Sequence, residues 1–257
     1  MYRFLLRPRW IAGHLLVIVT VVAFVNLGLW QLRRLDERQA HNALVTERLA
    51  ADPRPLDAAL AEAGGDPGAV EFRRVTVAGT YAGPQVLTAP RPYAGRPGQQ
   101  VLSVLEHDDG RAVLVDRGWI PFDSRSQQVP PTPDRRVRVQ GVVRLREPGD
   151  VGDAAQVAQI VPAQIGQRAG RDLAPFYVQL RRQRPAAPVG APRPTPLPVL
   201  TEGNHRSYAV QWFGFAVVAL AGYPLLLRHQ ARQDDPPDHG PPDSGGRSIT
   251  VGSVARP

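Results

Sequence analysis

The chain has 257 residues, a formal net charge of +8, 31 basic residues that are all arginine, no cysteine, and a single methionine, Met1. Without cysteine there is no disulfide, zinc knuckle, thiolate nucleophile or iron–sulfur ligand, and without an internal methionine there is no soft-sulfur site for copper(I) delivery. The arginines are scattered through an Ala-, Pro- and Gly-rich sequence without a recognition motif, so the charge does not point to nucleic acid.

From Ile11 to Leu32 the chain reads IAGHLLVIVTVVAFVNLGLWQL, long enough at 1.5 Å per residue to cross a hydrocarbon core about 30 Å thick. It holds no Asp, Glu or Arg and ends in Trp30-Gln31 followed by Arg33 and Arg34, not in a small-residue cleavage site. An uncleaved anchor is therefore expected over a signal peptide. Residues 1–10 form a short tail before it, which fits a bacterial plasma membrane. Residues 36–63 carry helix formers at helical spacing broken by Pro53 and Pro55, which predicts one helix continuing out of the first span and a short second one.

From Val70 the pattern changes to short β-rich runs: EFRRVTVAGTYA, QVLTAPR, QQVLSVLEHDD, RAVLVDRGWIP, RRVRVQGVVRLRE and, near residue 176, FYVQLRRQ. Turn signals such as Gly83-Pro84 and Asp109-Gly110 separate them. The expected fold is an α+β membrane protein, with two transmembrane helices flanking a mostly antiparallel β domain built as a sheet or partly open barrel. Residues 150–175 give no clear pattern. VPPTPDRR at 129–136 reads as a surface loop, and the Pro-rich stretch 184–200 as an extended tether leading back to the membrane. The second span, 208–227, reads YAVQWFGFAVVALAGYPLLL, has aromatic residues at both ends, and is closed by Arg228 and His229. Residues 33–207 thus form the domain between the spans. The tail 228–257 is polar, and from residue 230 it is rich enough in Asp, Pro and Gly to read as disordered.

Four motifs stand in order: LGLWQLRRLDER at the end of the first span, FRRVTVAGTY in the β region, DGRAVLVDRGWIP in a central hairpin, and GNHRSYAVQWFGFA opening the second span. In order and spacing they resemble the surfeit locus protein 1 family of cytochrome c oxidase assembly factors, over residues 10–227. The resemblance implies an extracytoplasmic domain with both termini inside. It also implies a non-enzymatic role in stabilising or inserting haem a during maturation of oxidase subunit I, with haem a synthase as a further partner. Bacterial relatives are implicated in haem a binding through a histidine before the second span; the matching residue here is His205. The arginines flanking the first span are nearly balanced, Arg3, Arg7 and Arg9 against Arg33, Arg34 and Arg38, so the orientation comes from the resemblance and not from charge.

Two antiparallel spans bring Trp30 and Arg33 to the same membrane face as His205, Arg206 and Tyr208. His205, Tyr208, Trp212 and Phe215 share one helical face, and Asn26, Trp30 and Arg33 share another on the first span. Together they predict an aromatic slot with an imidazole for haem iron and guanidinium groups for propionates. The other reading of the same residues is a headgroup anchor, with Arg33 and Arg206 snorkelling to lipid. His14 is expected to reach back to the interface, His41 and His107 to be solvent-exposed, and Asn26 to bond across to the neighbouring helix. In the hairpin, Asp116, Arg117, Gly118 and Trp119 read either as a partner-facing ridge or as a structural corner with Arg117 paired to a carboxylate. No nucleophile elbow, phosphate loop or paired metal-binding histidines occur. The rival functions are a membrane-anchored envelope or haem-metabolism enzyme and a ligand-free tether.

Overall fold

The computed structural model describes residues 6–122, 129, 131–187 and 190–233. Helix α1 (Pro8–Ala50) runs unbroken through the first apolar stretch and beyond it for 43 residues, about 64 Å at 1.5 Å per residue. Pro53 and Pro55 stop it, because proline lacks the N–H for the helical ladder and disfavours helix in the residue before it. A two-residue strand β1 (Arg54–Pro55) and the short helix α2 (Leu56–Glu62) follow. The second long helix, α4 (His205–Gln233), starts at His205 and continues through Pro224. Only 11% and 6% of the most apolar windows of α1 and α4 are buried. A core helix of a soluble protein would be covered, so these two are candidate membrane spans. The tail expected to be disordered from residue 230 is helical to Gln233, and its remainder lies outside the described residues.

Five longer strands lie between the two helices: β2 (Arg74–Leu87), β3 (Gly98–Glu106), β4 (Ala112–Pro121), β5 (Val137–Leu145) and β6 (Leu173–Arg184). They pair in the order β2-β3-β4-β6-β5, and β5 pairs back onto β2, which closes a barrel. Closure removes the exposed edges that an open sheet would present. The pairings are antiparallel except β4 with β6, which run parallel because residues 122–172 cross over between sheet positions.

The first two predicted runs are a single strand. Gly83-Pro84 is not a turn but an irregularity between Ala82 and Val86, within a strand that pairs with β5 through its first half and with β3 through its second. The Asp109-Gly110 turn does form, with Gly110 at φ +85° and the Asp109 carboxylate accepting from the Arg111 N–H.

Two apolar cores result. Inside the barrel, Val75, Val77, Tyr81, Leu105, Val113, Val115, Val139, Val143, Phe176 and Val178 meet, and Leu56 and Ala59 of α2 join them. Outside it, Leu102, Val104, Leu114 and Tyr177 are covered by Val151, Val157, Ile160 and Ile165, the last on helix α3 (Pro162–Ala169). This explains why β3 and β4 are buried along almost their whole length and do not alternate: strands covered on both faces read as continuous apolar runs. The uninformative region 150–175 is that cover. Arg91 fastens it by donating two bonds of 2.6 Å to Glu147 and one to the Ala158 carbonyl.

The chain divides into two compact units, residues 1–37 with 202–257, and residues 38–201.

Candidate functional site

In the helical unit the two spans run antiparallel, as shown by contacts at both ends. His205 Nδ1 lies 2.9 Å from Gln31 Oε1, and the Tyr223 hydroxyl lies 2.6 Å from His14 Nδ1. Gly28 marks a close approach, since a Cβ there would fall 2.7 Å from the Phe213 ring. Small residues let helix backbones approach where lipid supplies no hydrophobic driving force. On α4 the buried positions Ala209 and Ala216 lie in phase with His205 and Trp212. Trp212 packs on Phe24 at 5.6 Å and edge-on to Phe215 at 5.8 Å.

The predicted face is therefore rotated by about one residue. Tyr208 and Phe215 are exposed flanks, and small Ala209 and Ala216 take the packed positions. Of the other residues assigned to the slot, Trp30, Arg33 and Arg206 are all exposed, with Trp30 at 50%. Trp30 and Arg33 lie roughly 100° and 200° round the helix from Gln31, the residue that α4 engages. Because the spans touch at Gly28, their aromatic side chains make a wall and not a slot between helices.

The structure adds Gln31, which is 9% exposed and orients His205. If the amide oxygen accepts from Nδ1–H, the imidazole is held in the tautomer whose Nε2 carries the lone pair. Gly203, at φ +69°, lies beside that nitrogen, and a Cβ there would stand 3.5 Å from Nε2. The imidazole is thus anchored on one nitrogen while the space before the other is kept clear of a side chain. This donor set fits an axial ligand for haem iron.

Asn26 and the other histidines take these places. Asn26 does not bond across to α4; its amide donates to the Val22 carbonyl at 2.8 Å on its own helix. It sits away from the Gly28 stripe, where lipid offers no other partner. His14 pairs with Tyr223 in place of reaching to the interface. His41 is exposed as expected, with its ring edge-on to Phe72 at 5.9 Å, whereas His107 is half-buried beside Asp57 and Asp109.

The hairpin motif is a structural corner, since Asp116, Arg117 and Trp119 are all buried and cannot form a partner-facing ridge. Val101 pairs with Gly118 and Leu102 with Asp116, so Arg117 is the extra residue of a β-bulge. Its guanidinium lies over the Tyr81 ring and donates to Gln85 Oε1 at 2.5 Å and to the Pro131 carbonyl at 3.2 Å. Burial lowers the pKa of this guanidinium and pushes the Tyr81 phenol up to about 12.

Asp116 faces the tether. It accepts from Thr195 Oγ1 at 3.0 Å, Gln100 Nε2 at 3.1 Å and the Gly118 N–H at 2.9 Å. Burial nevertheless pushes its carboxyl up to about 6. Trp119 and Arg193 exchange backbone bonds of 2.7 and 2.9 Å, and Gln179 donates to the carbonyls of Thr195 and Pro196. Residues 193–196 of the return tether are therefore fixed to β4 and β6.

These features define a class: a small closed β-barrel inserted in sequence between two candidate membrane spans. Among the described residues, no group of three or more His, Cys, Asp or Glu is arranged to hold a metal ion. The chain belongs to the SURF1 family, whose model matches residues 18–217, and that family is one of cytochrome oxidase assembly factors. It is 31% identical over 255 residues to an uncharacterised SURF1-like protein of Mycobacterium tuberculosis, covering 93% of this chain and 92% of that one. A SURF1-like protein of Monosiga brevicollis is 27% identical over 240 residues, 83% of this chain and 86% of the relative. A third, from Dictyostelium discoideum, is 35% identical over 111 residues, 41% of each chain.

Proposed function

We propose that this chain is a non-enzymatic assembly factor for haem-copper cytochrome c oxidase, receiving haem a as its cargo at the outer membrane face and presenting it to subunit I. The observation that carries the reading is the geometry of His205, anchored through Nδ1 by Gln31 and left room at Nε2 by Gly203. Tyr208 and Trp212, on the same helix as His205, supply aromatic surface for an apolar macrocycle, and Arg206 a guanidinium group for its propionates, while Trp30 and Arg33, turned away from the Gln31 face, are left as headgroup anchors. Haem a synthase is the natural donor of such a cargo.

Absorption spectroscopy of the detergent-purified protein, loaded with haem a, tests the reading. His205→Ala abolishes or shifts the bound-haem spectrum at unchanged yield. Gln31→Leu lowers affinity by about tenfold, within the 10–100-fold range for lost outer partners of a metal ligand. Gly203→Val crowds Nε2 and does the same, while His41→Ala leaves the spectrum unchanged. A wild-type spectrum from His205→Ala with full haem content overturns the assignment and leaves His205–Gln31 as a helix clasp.

The localisation proposed is a bacterial plasma membrane, with both termini cytoplasmic and the barrel outside. Alkaline phosphatase fused after Phe122 is then active and the same enzyme fused at the C-terminus inactive; the reverse pattern overturns the orientation.

A further inference from the structure

Five arginines, Arg74, Arg138, Arg181, Arg182 and Arg184, gather on one outer face of the barrel. The face carries a cleft of about 510 Å³ between Arg138, Arg182, Arg184 and the tether residues Pro192 and Pro194. A second cleft, of about 360 Å³, lies beside Arg74, Val142 and Leu197. Gln140, Arg181 and Arg182 line both, so the two form one continuous groove.

The strand geometry builds this concentration of charge. Arg138 and Arg184 stand directly opposite each other in the β5–β6 ladder, an arrangement that repulsion disfavours. Gln140 pairs with Arg182 and Gly141 with Leu180, so Arg181 is the extra residue of a bulge, and both Arg181 and Arg182 are exposed. Arg182 and Arg184 follow by simple alternation on one face.

Elsewhere in the domain arginines meet carboxylates: Arg54 and Arg73 at Glu62, Arg91 at Glu147, Arg136 at Asp108, Arg171 at Glu106. Around Arg138, Arg181, Arg182 and Arg184 there is no such neutralisation, while Arg74, at the end of the groove, also borders a cleft that holds Glu47, Asp52 and Glu62. No acidic side chain lines either cleft, and none of the five arginines has a carboxylate partner among the described residues. Arg74 and Arg181 each donate to a backbone carbonyl, of Ala51 and Thr195, which leaves their charge in place.

We propose that this groove docks an acidic, extended polypeptide segment of a partner protein, with carboxylates at alternate positions. Along β5 the groove reaches from Arg138 to Val142, about 13 Å, the length of roughly four extended residues. Arg182 and Arg184 repeat at about 6.6 Å, the spacing of alternate side chains on an opposing extended chain. Guanidinium forks take carboxylates in bidentate geometry. Pro192 and Pro194 line the cleft together with the strand arginines, and a recess of this kind suits a narrow chain better than a flat bilayer surface. This inference is independent of the haem assignment, since no groove residue belongs to the helical unit.

The test uses the full-length protein in phosphatidylcholine nanodiscs and a fluorescein-labelled octapeptide of alternating Glu and Thr, followed by anisotropy at about 0.15 M salt. The peptide binds, and its Gln counterpart does not. The triple variant Arg138→Gln, Arg182→Gln, Arg184→Gln weakens binding by about tenfold or more, as expected when several rim charges are lost together. Removal of the same charge elsewhere, in Arg96→Gln, Arg146→Gln, Arg168→Gln, none of which lines either cleft, changes it by less than about threefold once salt shortens the Debye length to about 8 Å. Equal weakening in both triple variants means that net charge alone attracts the peptide, and overturns the proposal. So does binding of dihexanoyl phosphatidylglycerol or inorganic diphosphate at the groove without the peptide, which makes the ligand a phosphate. An unchanged thermal midpoint of the groove variant confirms that it is folded.

Discussion

In the helical unit, polar contacts between the two spans stand near both ends: His205 with Gln31, and His14 with Tyr223. In the barrel unit they crowd around one strand, where Asp116, Arg117, Gln100 and Gln179 are all buried. The difference follows from what each unit must specify. Two apolar helices in lipid have small residues to bring them together but little to fix their register, and polar pairs such as these supply it. The barrel has its register fixed by the hydrogen-bond ladder, so its buried polar groups hold something else, the return tether at Arg193–Pro196. The same chemistry thus sets helix pairing in one unit and chain path in the other.

The sharpest way to break this comparison is at Gly118, where the tether crosses the strand. The residue has φ +124°, outside the range that side chains tolerate, and any Cβ would run into the Arg193 carbonyl. Gly118→Val is expected to cost about 3–5 kcal/mol, from backbone strain plus the loss of the Trp119–Arg193 pairing. Limited proteolysis should show cleavage within 190–200 in the variant and protection in the wild type. A protected tether and an unchanged thermal midpoint would mean that β4 does not hold the tether.

Much of this was legible beforehand. The two spans, the helix continuing past the first, the Asp109-Gly110 turn and the β runs follow from hydropathy, proline placement and alternation. Barrel closure was not legible, because a parallel β4–β6 pairing across an irregular stretch leaves no local signature. The fusion of two runs into β2 was hidden because Gly-Pro reads as a turn whether it reverses the chain or only disturbs a strand. In the candidate site, His205 was found by its motif, but its partner was missed. An amide does bond across the helices, but it is that of Gln31, while Asn26 bonds within its own helix. Helical phase with Gly28 selects Gln31 instead, three residues on and on the face where the helices can approach.

Asp116 offers a finer comparison, because it sits beneath the tether while ionisable contacts of the helical unit do not. Its carboxyl is raised from an ordinary 3.8 to about 6, chiefly by burial, against the opposing pull of its bonds to Thr195, Gly118 and Gln100 and of the Arg91 charge. A raised folded-state value means that the native protein binds the proton more tightly than the unfolded chain does. The contribution to stability is complete below about pH 4 and is lost as the pH rises through about 6. The shift corresponds to about 2–3 kcal/mol. Asp116→Asn should therefore lose stability by an offset from one missing acceptor, yet gain relative to the wild type between pH 4 and 7. Thermal midpoints measured across that range decide it, and a constant difference between the two proteins would show that Asp116 does not titrate there.

The smallest effect is expected at the other end of the paired spans, at Tyr223. Its hydroxyl meets His14 Nδ1 at 2.6 Å, and the two rings stand edge to face at 5.6 Å. Tyr223→Phe keeps the ring contact and removes only the hydrogen bond. In membranes such bonds average about 0.6 kcal/mol, because the separated helices also find partners for their polar groups. Tyr223→Phe should accordingly lower the thermal midpoint in neutral micelles by only a few degrees. If haem a rests on His205, its absorption in this variant should equal that of the wild type, whereas Gln31→Leu should alter it. A Tyr223→Phe variant that loses haem absorption as fully as Gln31→Leu would mean that the two ends act as one unit. The role of Gln31 would then be to hold the helices together, and not to orient an iron ligand.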